Sequence, residues 1–89
     1  MKLKEPFLFR QQAYIGGAWC DADAGTTFAI DNPATGEIIG HVPDMGATET
    51  QRAIDAANAA LPAWSKMSAK ARGAILRKWF DLIMANADD

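Results

Sequence analysis

One cysteine and one histidine, Cys20 and His41, are the residues of this sequence best suited to nucleophilic chemistry. A thiol becomes a strong nucleophile when a base or a positive environment converts it to the thiolate. His41 could act as that base, but it falls in a separate strand-like segment with no carboxylate placed to orient it. We therefore expect structural roles for both, and no catalytic residue within residues 1–89.

The glycines do not match a phosphate-binding loop. A dinucleotide-binding loop needs the spacing G-x-G-x-x-G between a strand and a helix, so that backbone N–H groups face the pyrophosphate. Gly16-Gly17, Gly36 and Gly40 have neither that spacing nor that context. We predict turns at these glycines and no cofactor-binding residue in this chain.

Basic and aromatic residues are concentrated in the stretch 64–80, which contains no acid. The basic members of this cluster are Lys66, Lys70, Arg72, Arg77 and Lys78. Such a helix could bind nucleic acid or an acidic partner. Alternatively, water solvates the cluster, or carboxylates elsewhere in a larger protein pair with it. Acids between residues 5 and 55, where most of the eleven lie, are further candidates within the chain itself. The net charge of -2 favours the second interpretation and argues against nucleic acid as a partner.

Strand and turn residues dominate the first half of the chain. Gly16-Gly17 can supply the positive φ angles of a two-residue hairpin turn, which predicts a hairpin over residues 13–19. Further strands are predicted over 27–31 and 37–42. Between them, Asn32-Pro33-Ala34-Thr35-Gly36 has the residues of a tight turn.

Alanine and long side chains, which favour helices, dominate the second half. A first helix is predicted over 48–61, capped by Thr48 with Gln51 and ended by Pro62. A second is predicted over 68–86, capped by Ser68.

The apolar residues of the two helices recur every three or four positions, which predicts one buried face on each. We expect an antiparallel helix pair that packs through Ile54, Leu61, Ile75, Trp79 and Phe80. The stripe on the second helix is wider than the rest of this short chain can cover, so part of it should stay exposed. Asp88-Asp89 would lie unfavourably at the negative end of that helix and would suit the cap of a further helix beyond. The sequence therefore predicts an incomplete domain.

The order of these motifs resembles the N-terminal segment of the aldehyde dehydrogenase superfamily. The resemblance runs through almost the whole chain. It is carried by Ile15-Gly16-Gly17-Ala18-Trp19, Asn32-Pro33-Ala34-Thr35-Gly36-Glu37, an alanine-rich helix reaching Trp64, then Arg72 and Ile75-Leu76. Within the superfamily, the chain looks most like bacterial succinate-semialdehyde dehydrogenases. For these the resemblance rests on Leu8-Phe9-Arg10-Gln11-Gln12-Ala13, Ala53-Ile54-Asp55-Ala56-Ala57 and Leu61-Pro62-Ala63-Trp64.

The resemblance implies a parent enzyme that oxidises succinate semialdehyde to succinate with NAD(P)+ through a cysteine thiohemiacetal. Its nucleophile, its water-activating Glu and its cofactor loop would lie later in the chain, and Cys20 does not match the nucleophile. Residues 1–89 would form part of the cofactor-binding domain of an α/β fold, with strands and turns over 1–45 and two helices over 46–89. The parent would be a homo-oligomer, a dimer or a tetramer, and the main partner of this segment would be the remainder of its own chain.

The resemblance also implies a structural monovalent cation, held by the backbone carbonyls just before the Asn-Pro turn. Those positions are Ile30 and Asp31, and a side-chain ligand would lie beyond residue 89.

Other interpretations stay open. The aldehyde could be glutarate semialdehyde or betaine aldehyde. The chain could instead be a small α+β interaction module that uses its basic helix, residues 66–80. The N-terminus lacks the apolar run of a signal peptide, no stretch is long enough to span a bilayer, and the lone cysteine fits a reducing compartment. We therefore expect a cytoplasmic protein without a membrane partner.

Overall fold

The computed structural model describes residues 2–89, which form two antiparallel hairpins followed by two helices. The elements are a 3-10 turn at Pro6–Leu8, β1 (Ala13–Ile15), β2 (Ala18–Cys20), β3 (Thr27–Asp31), β4 (Ile38–Pro43), α1 (Ala47–Lys66) and α2 (Ala69–Ala85). β1 pairs with β2, and β3 pairs with β4 in a separate sheet. This confirms the predicted order of antiparallel strands and then helices. No helix in the described range is long and apolar enough to cross a membrane.

The first hairpin turns at the glycine pair. Gly16 and Gly17 have φ angles of +60° and +80°, which residues with a Cβ adopt only at a cost. Tyr14 faces Trp19 across the strands, with ring centroids 4.9 Å apart. The predicted turn is therefore confirmed, and an aromatic pair supports it on one face.

The second hairpin turns through an Asn-Pro motif. The Asn32 side-chain oxygen accepts a hydrogen bond from the N–H of Ala34 at 2.9 Å, and the Asn32 carbonyl accepts from the N–H of Gly36 at 2.7 Å. Gly36 has a φ of +73°, so the turn uses the left-handed region as predicted. The ladder shifts register between Ile30 and Asp31, because Ile30 pairs with Gly40 but Asp31 pairs with Ile38.

α1 begins earlier and ends later than the sequence predicts. Its N-cap is Gly46, whose N–H donates to the Glu49 carboxylate at 3.2 Å, so the predicted cap by Thr48 and Gln51 is wrong. Pro62 lies inside the helix, which continues to Lys66, so the predicted end near Leu61 is also wrong. A proline removes one hydrogen bond and can bend a helix without ending it.

α2 follows after a short break. The Ser68 hydroxyl accepts a hydrogen bond from the N–H of Ala71 at 3.1 Å, which confirms the predicted cap. α1 and α2 do not pack along their lengths, and α1 instead contacts β1. All five side chains expected at a helix-helix interface are about half exposed or more, from 47% for Phe80 to 62% for Trp79. The predicted antiparallel packing is therefore wrong within this chain, because α1 packs on β1 and its apolar residues do not face those of α2.

Little of the described chain is buried. Ala22, at 5% exposure, is the only buried apolar residue among residues 2–89. The N-terminal segment crosses β4, where the Gln11 side-chain oxygen accepts from the N–H of His41 at 2.8 Å. Phe9 also lies close to the Gly40 backbone, where an added Cβ would meet the Phe9 ring at 3.1 Å. The segment is thus held by hydrogen bonds and local contacts more than by a shared hydrophobic interior.

Candidate functional site

The structure places the two candidate nucleophile and base residues in different hairpins. Cys20 ends β2 and is half-buried, with its sulfur 3.5 Å from the Ala18 carbonyl oxygen. His41 lies in β4, and it is exposed. Nothing in the described residues brings a base to the thiol. The expectation that neither residue is catalytic stays a prediction.

Ile30 and Asp31 lie at the end of β3, where the ladder to β4 is irregular. A bulge disrupts the ladder locally and leaves the extra residue unpaired, so a backbone carbonyl near it can accept another partner. The predicted site also needs a side-chain ligand, which the resemblance puts beyond residue 89. Among residues 2–89, no three His, Cys, Asp or Glu side chains are grouped so that they could hold a metal ion. The two residues therefore fit only part of a cation site.

The basic cluster is divided between distinct environments. Arg77 pairs with Asp81 at 3.4 Å and lies 4.7 Å above the Phe80 ring. Arg72 is half-buried, and its Nε is shielded from solvent without a hydrogen-bond partner among the described residues. The ion pairs within residues 2–89 join none of the five basic residues to an acid from residues 5–55, so solvation of the cluster, or pairing with carboxylates elsewhere in a larger protein, stays a prediction.

A polar cluster that sequence reasoning missed joins the loop after β2 to α1. Arg52 donates two hydrogen bonds to the Asp23 carboxylate, at 3.0 and 2.9 Å. These hydrogen bonds lower the pKa of the Asp23 carboxyl from its ordinary value of 3.8 and raise the pKa of the Arg52 guanidinium. Glu49 adds a further link, since its carboxylate accepts from the N–H of Asp23 at 3.3 Å. A sequence signal existed in the three-residue spacing of Glu49 and Arg52, but their partner lies 29 residues before Arg52.

The two ends of the described chain meet. The Asp89 carboxylate accepts hydrogen bonds from the N–H groups of Lys4 and Glu5, at 2.9 and 3.0 Å. Asp89, which was expected to cap a further helix, therefore has two backbone donors from the N-terminal segment in this structure. The contact holds the N-terminal segment against the end of α2.

An apolar groove lies between the N-terminal segment and α2. It has a volume of about 540 Å³. Its lining consists of Phe7, Leu8, Trp79, Leu82, Ile83, Asn86 and Ala87. The groove has no titratable side chain in its lining, so its surface can bind apolar groups but offers no acid, base or nucleophile.

The fold and the motifs agree with one family of enzymes. The pattern of the Aldehyde dehydrogenase family matches residues 19–89. A glutarate-semialdehyde dehydrogenase of Pseudomonas aeruginosa is 63% identical over the whole chain. The chain belongs to the aldehyde dehydrogenase family. The predicted resemblance is thereby confirmed.

Two further relatives are similar over the same range. The NADP+-dependent succinate-semialdehyde dehydrogenase of Escherichia coli is 56% identical over the whole chain. The crystal structure of succinate-semialdehyde dehydrogenase from Burkholderia pseudomallei superposes on the whole chain with a TM-score of 0.94 at 57% identity. The fold of this aldehyde dehydrogenase segment is therefore the fold of the corresponding part of a solved relative.

The chain spans 18% of the length of each of these relatives. Family membership accounts for the turns, the strands and the helices described above. All of these relatives are oxidoreductases of one family, but their names give different aldehydes. The family alone therefore does not identify the substrate.

Proposed function

We propose that this chain is part of an NAD(P)-dependent dehydrogenase for the semialdehyde of a short dicarboxylic acid, with succinate semialdehyde as the substrate. The observation that carries the proposal is high identity over the whole chain to enzymes named for such semialdehydes, 56% for the Escherichia coli enzyme. The proposed enzyme is cytoplasmic and forms a dimer or a tetramer.

In the proposed reaction, a cysteine outside these 89 residues would form a thiohemiacetal with the aldehyde, and NAD(P)+, when bound, would supply the hydride acceptor. Water then releases the carboxylate and restores the thiol. Residues 1–89 provide part of the cofactor-binding domain, with strands and turns over 1–45 and helices over 46–89. Their contribution is structural: the Asp23–Arg52 contact fixes the β2–β3 loop to α1, and α2 offers an apolar face to the rest of the enzyme.

Glutarate semialdehyde is the second candidate substrate. The glutarate-semialdehyde dehydrogenase of Pseudomonas aeruginosa is 63% identical to this chain, above the 56% of the succinate-semialdehyde dehydrogenase of Escherichia coli. The two aldehydes differ by one methylene, which is worth only about 1–3 kcal/mol of discrimination in an apolar pocket. An enzyme for one is therefore expected to act on the other at a reduced rate.

Steady-state kinetics of the full-length parent test the proposal. We expect kcat/KM for succinate semialdehyde to exceed that for glutarate semialdehyde by about 10-fold or more, and that for betaine aldehyde by a larger factor. Each aldehyde is assayed with NAD+ and with NADP+, which also identifies the cofactor. A higher kcat/KM for glutarate semialdehyde would select the second candidate, and a preference for betaine aldehyde would refute both.

The 89-residue chain is the matched control for these assays. It contains no phosphate loop and no activated thiol, so we expect neither turnover of succinate semialdehyde nor measurable NAD(P)H binding by fluorescence. Turnover by the pure 89-residue chain would contradict the structural role proposed for it.

The proposed enzyme also holds a structural monovalent cation through the backbone carbonyls of Ile30 and Asp31. The irregular ladder at these residues supports this assignment. Exchanging Na+ or K+ for a bulky organic cation at constant ionic strength is expected to lower the Tm of the full-length enzyme. A Tm that is independent of the cation would argue against the site.

A further inference from the structure

β4 has one edge that no other strand of residues 2–89 occupies. Its sheet consists of β3 and β4 alone, so β4 pairs with a strand on one side only. The open edge of a strand carries N–H and C=O groups that can pair with a strand of another molecule, and proteins that stay soluble cover or interrupt such edges. We call the side of β4 that faces away from β3 the free edge of β4.

The hydrogen bonds of this hairpin show which N–H groups point to the free edge. In an antiparallel pair, the N–H groups of successive residues point to opposite sides of the strand. The N–H of Asp44, directly after β4, donates to the Thr26 carbonyl at 2.8 Å, which is on the side of β3. His41 and Pro43 alternate with Asp44 and therefore face the free edge. The N–H of His41 accordingly donates to the side chain of Gln11, at 2.8 Å.

The strand itself interrupts the free edge at two positions. Pro43 has no N–H, and proline within a sheet is confined mainly to edge strands and bulges. The register shift between Ile30 and Asp31 makes Ile39 the extra residue of a bulge, which disrupts regular pairing there. Between these two interruptions, His41 is the residue whose N–H and C=O groups could pair with a further strand.

Gln11 covers this position with its side chain. Its Oε1 accepts from the N–H of His41 as the carbonyl of a neighbouring strand would. Residues 9–11 are not themselves a strand, so they cover the edge without creating a new one. The approach is close, because a Cβ added to Gly40 would lie 3.0 Å from the Gln11 Oε1 and 3.1 Å from the Phe9 ring.

The composition of β4 explains why a cover is needed. Residues 38–43 include two isoleucines and a valine but no Lys, Arg, Asp or Glu. Charged side chains are the usual means of keeping an edge strand from pairing with another molecule. A strand without them, rich in β-branched apolar residues, is prone to pair between copies when its edge is open.

We propose that residues 9–11 form an edge guard, in which Gln11 binds the His41 N–H and thereby keeps the free edge of β4 from pairing with the same edge of a second copy. A second copy is the partner that fits, because the edge is self-complementary. Two β4 strands related by a two-fold axis can pair antiparallel, with the His41 residues of both copies exchanging N–H to C=O hydrogen bonds. The edge guard controls assembly and does not rest on which aldehyde the parent oxidises.

Hydrogen exchange of the full-length enzyme tests the contact itself. Gln11→Met removes the acceptor and keeps the length of the side chain. At low protein concentration we expect the His41 amide to exchange at least about 10-fold faster than in wild type, measured by mass spectrometry on peptides that cover β4. Gln12→Met is the matched control, since the Gln12 side chain donates to Asp21 instead, at 3.1 Å, and should leave the exchange of His41 unchanged.

Two results of this measurement would overturn the proposal. One is an unchanged exchange rate of the His41 amide in Gln11→Met. The other is faster exchange that extends to α1, because it would indicate a general loss of stability and not the opening of one edge.

Sedimentation velocity tests the pairing between copies. At high concentration we expect Gln11→Met to form species of at least about twice the mass of the wild-type oligomer, while Gln12→Met sediments like wild type. In the larger species the His41 amide should be protected from exchange again, because a strand of the second copy accepts its hydrogen bond. An absence of larger species, or larger species in which His41 stays unprotected, would refute the edge guard.

Gln11→Glu separates the acceptor from other properties of the side chain. Its carboxylate keeps an oxygen at the same distance from the backbone, so we expect both the exchange of His41 and the sedimentation to resemble wild type. If Gln11→Glu behaves like Gln11→Met, the hydrogen bond to His41 is not the cause and the proposal is wrong.

These experiments fail separately from the proposed function. Neither exchange nor sedimentation requires a substrate, so a parent that prefers another aldehyde would leave the edge guard intact. At low concentration, kcat/KM of Gln11→Met should equal that of wild type, because the proposed role of Gln11 concerns assembly alone.

Discussion

The second hairpin and α2 are stabilised by different kinds of interaction. In the hairpin, β3 and β4 pair over their lengths, and the Asn32–Gly36 turn satisfies its own backbone groups with bonds of 2.7 to 3.2 Å. α2 has a good cap at Ser68, but its apolar side chains remain half exposed. Thus one region obtains most of its interactions from residues close in sequence, and the other needs a surface that is distant in sequence.

This difference shows that secondary structure and burial have separate origins in this chain. Turn residues and caps fix where each element begins and ends, whatever surrounds it. Hydrophobic stabilisation is proportional to the apolar area removed from water, and that area depends on the partner surface. Substitutions in the two regions should therefore respond differently to the presence of the rest of the enzyme.

The largest expected effect is that of Trp79→Ala in the full-length enzyme. Removing a large side chain from a covered face typically costs about 3–5 kcal/mol in the free energy of unfolding. We expect a lower Tm and a lower soluble yield, with KM values for aldehyde and cofactor nearly unchanged because the residue packs and does not bind ligand. Lys78→Ala, on the neighbouring polar surface, is the control and should melt like wild type. A wild-type Tm with a raised KM would show that the α2 face belongs to a ligand site instead.

Two glycine-to-alanine substitutions sharpen the comparison, since the same change should have opposite signs in the two regions. Gly36 has a φ of +73° and open space where a Cβ would lie, so alanine there should cost about 1–2 kcal/mol through backbone strain alone. Gly73 lies inside α2 with open space around it, so alanine there should stabilise by about 0.5–1 kcal/mol. Thermal melts of both full-length variants check the signs. Destabilisation by Gly73→Ala would mean that the covering surface reaches that side of α2.

Removal of the α2 cap should have a smaller effect. Ser68→Ala leaves the N–H of Ala71 without its side-chain acceptor and should cost about 1 kcal/mol. Ser68→Asp keeps an acceptor at the cap and should restore most of the wild-type Tm. If both variants melt alike, the hydroxyl contact contributes nothing to the helix.

The smallest effect is expected at the exposed Asp23–Arg52 pair. The pKa of Asp23 is lowered in the folded state, so its stabilisation is present above the ordinary carboxyl pKa of 3.8 and is lost as the pH falls through the folded value. We expect Asp23→Asn to melt slightly below wild type at pH 7, with the gap closing below about pH 4. Arg52→Gln should lower the Tm by the same amount as Asp23→Asn. The double variant should melt only slightly below either single variant. A gap that widens toward low pH would contradict this assignment.

Much of the fold could be predicted from the sequence because its signals are local. Gly16-Gly17, the Asn32–Gly36 turn and Ser68 all act through backbone conformation or through hydrogen bonds to near neighbours. The start of α1 was harder to predict from the sequence, because its N-cap residue, Gly46, has no side chain that could accept a hydrogen bond. The cap depends instead on the Glu49 carboxylate, which accepts from the Gly46 N–H. The predicted helix end at Pro62 was wrong, because losing one backbone hydrogen bond there costs less than the remaining helical hydrogen bonds on either side contribute.

The contacts between distant residues could not be predicted in the same way. Nothing near Arg52 indicates that Asp23 is its partner, and nothing near Asp89 indicates that the N–H groups of Lys4 and Glu5 meet it. The antiparallel helix packing was wrong because an apolar stripe indicates that a face will be covered without specifying by what.

The sequence by itself determined the family, the order of strands and helices, and the two glycine-containing turns. It did so because these depend on residue types at fixed spacing, which the family shares over the whole of this chain. Only the tertiary structure decided that α1 packs on β1 and not on α2, and that Arg52 pairs with Asp23. It also decided that the Nε of Arg72 has no hydrogen-bond partner among the described residues, beside an exposed apolar face. Burial and pairing depend on two surfaces that come together in space. The apolar periodicity of a helix identifies only one of them, and it does not specify which other surface will cover it.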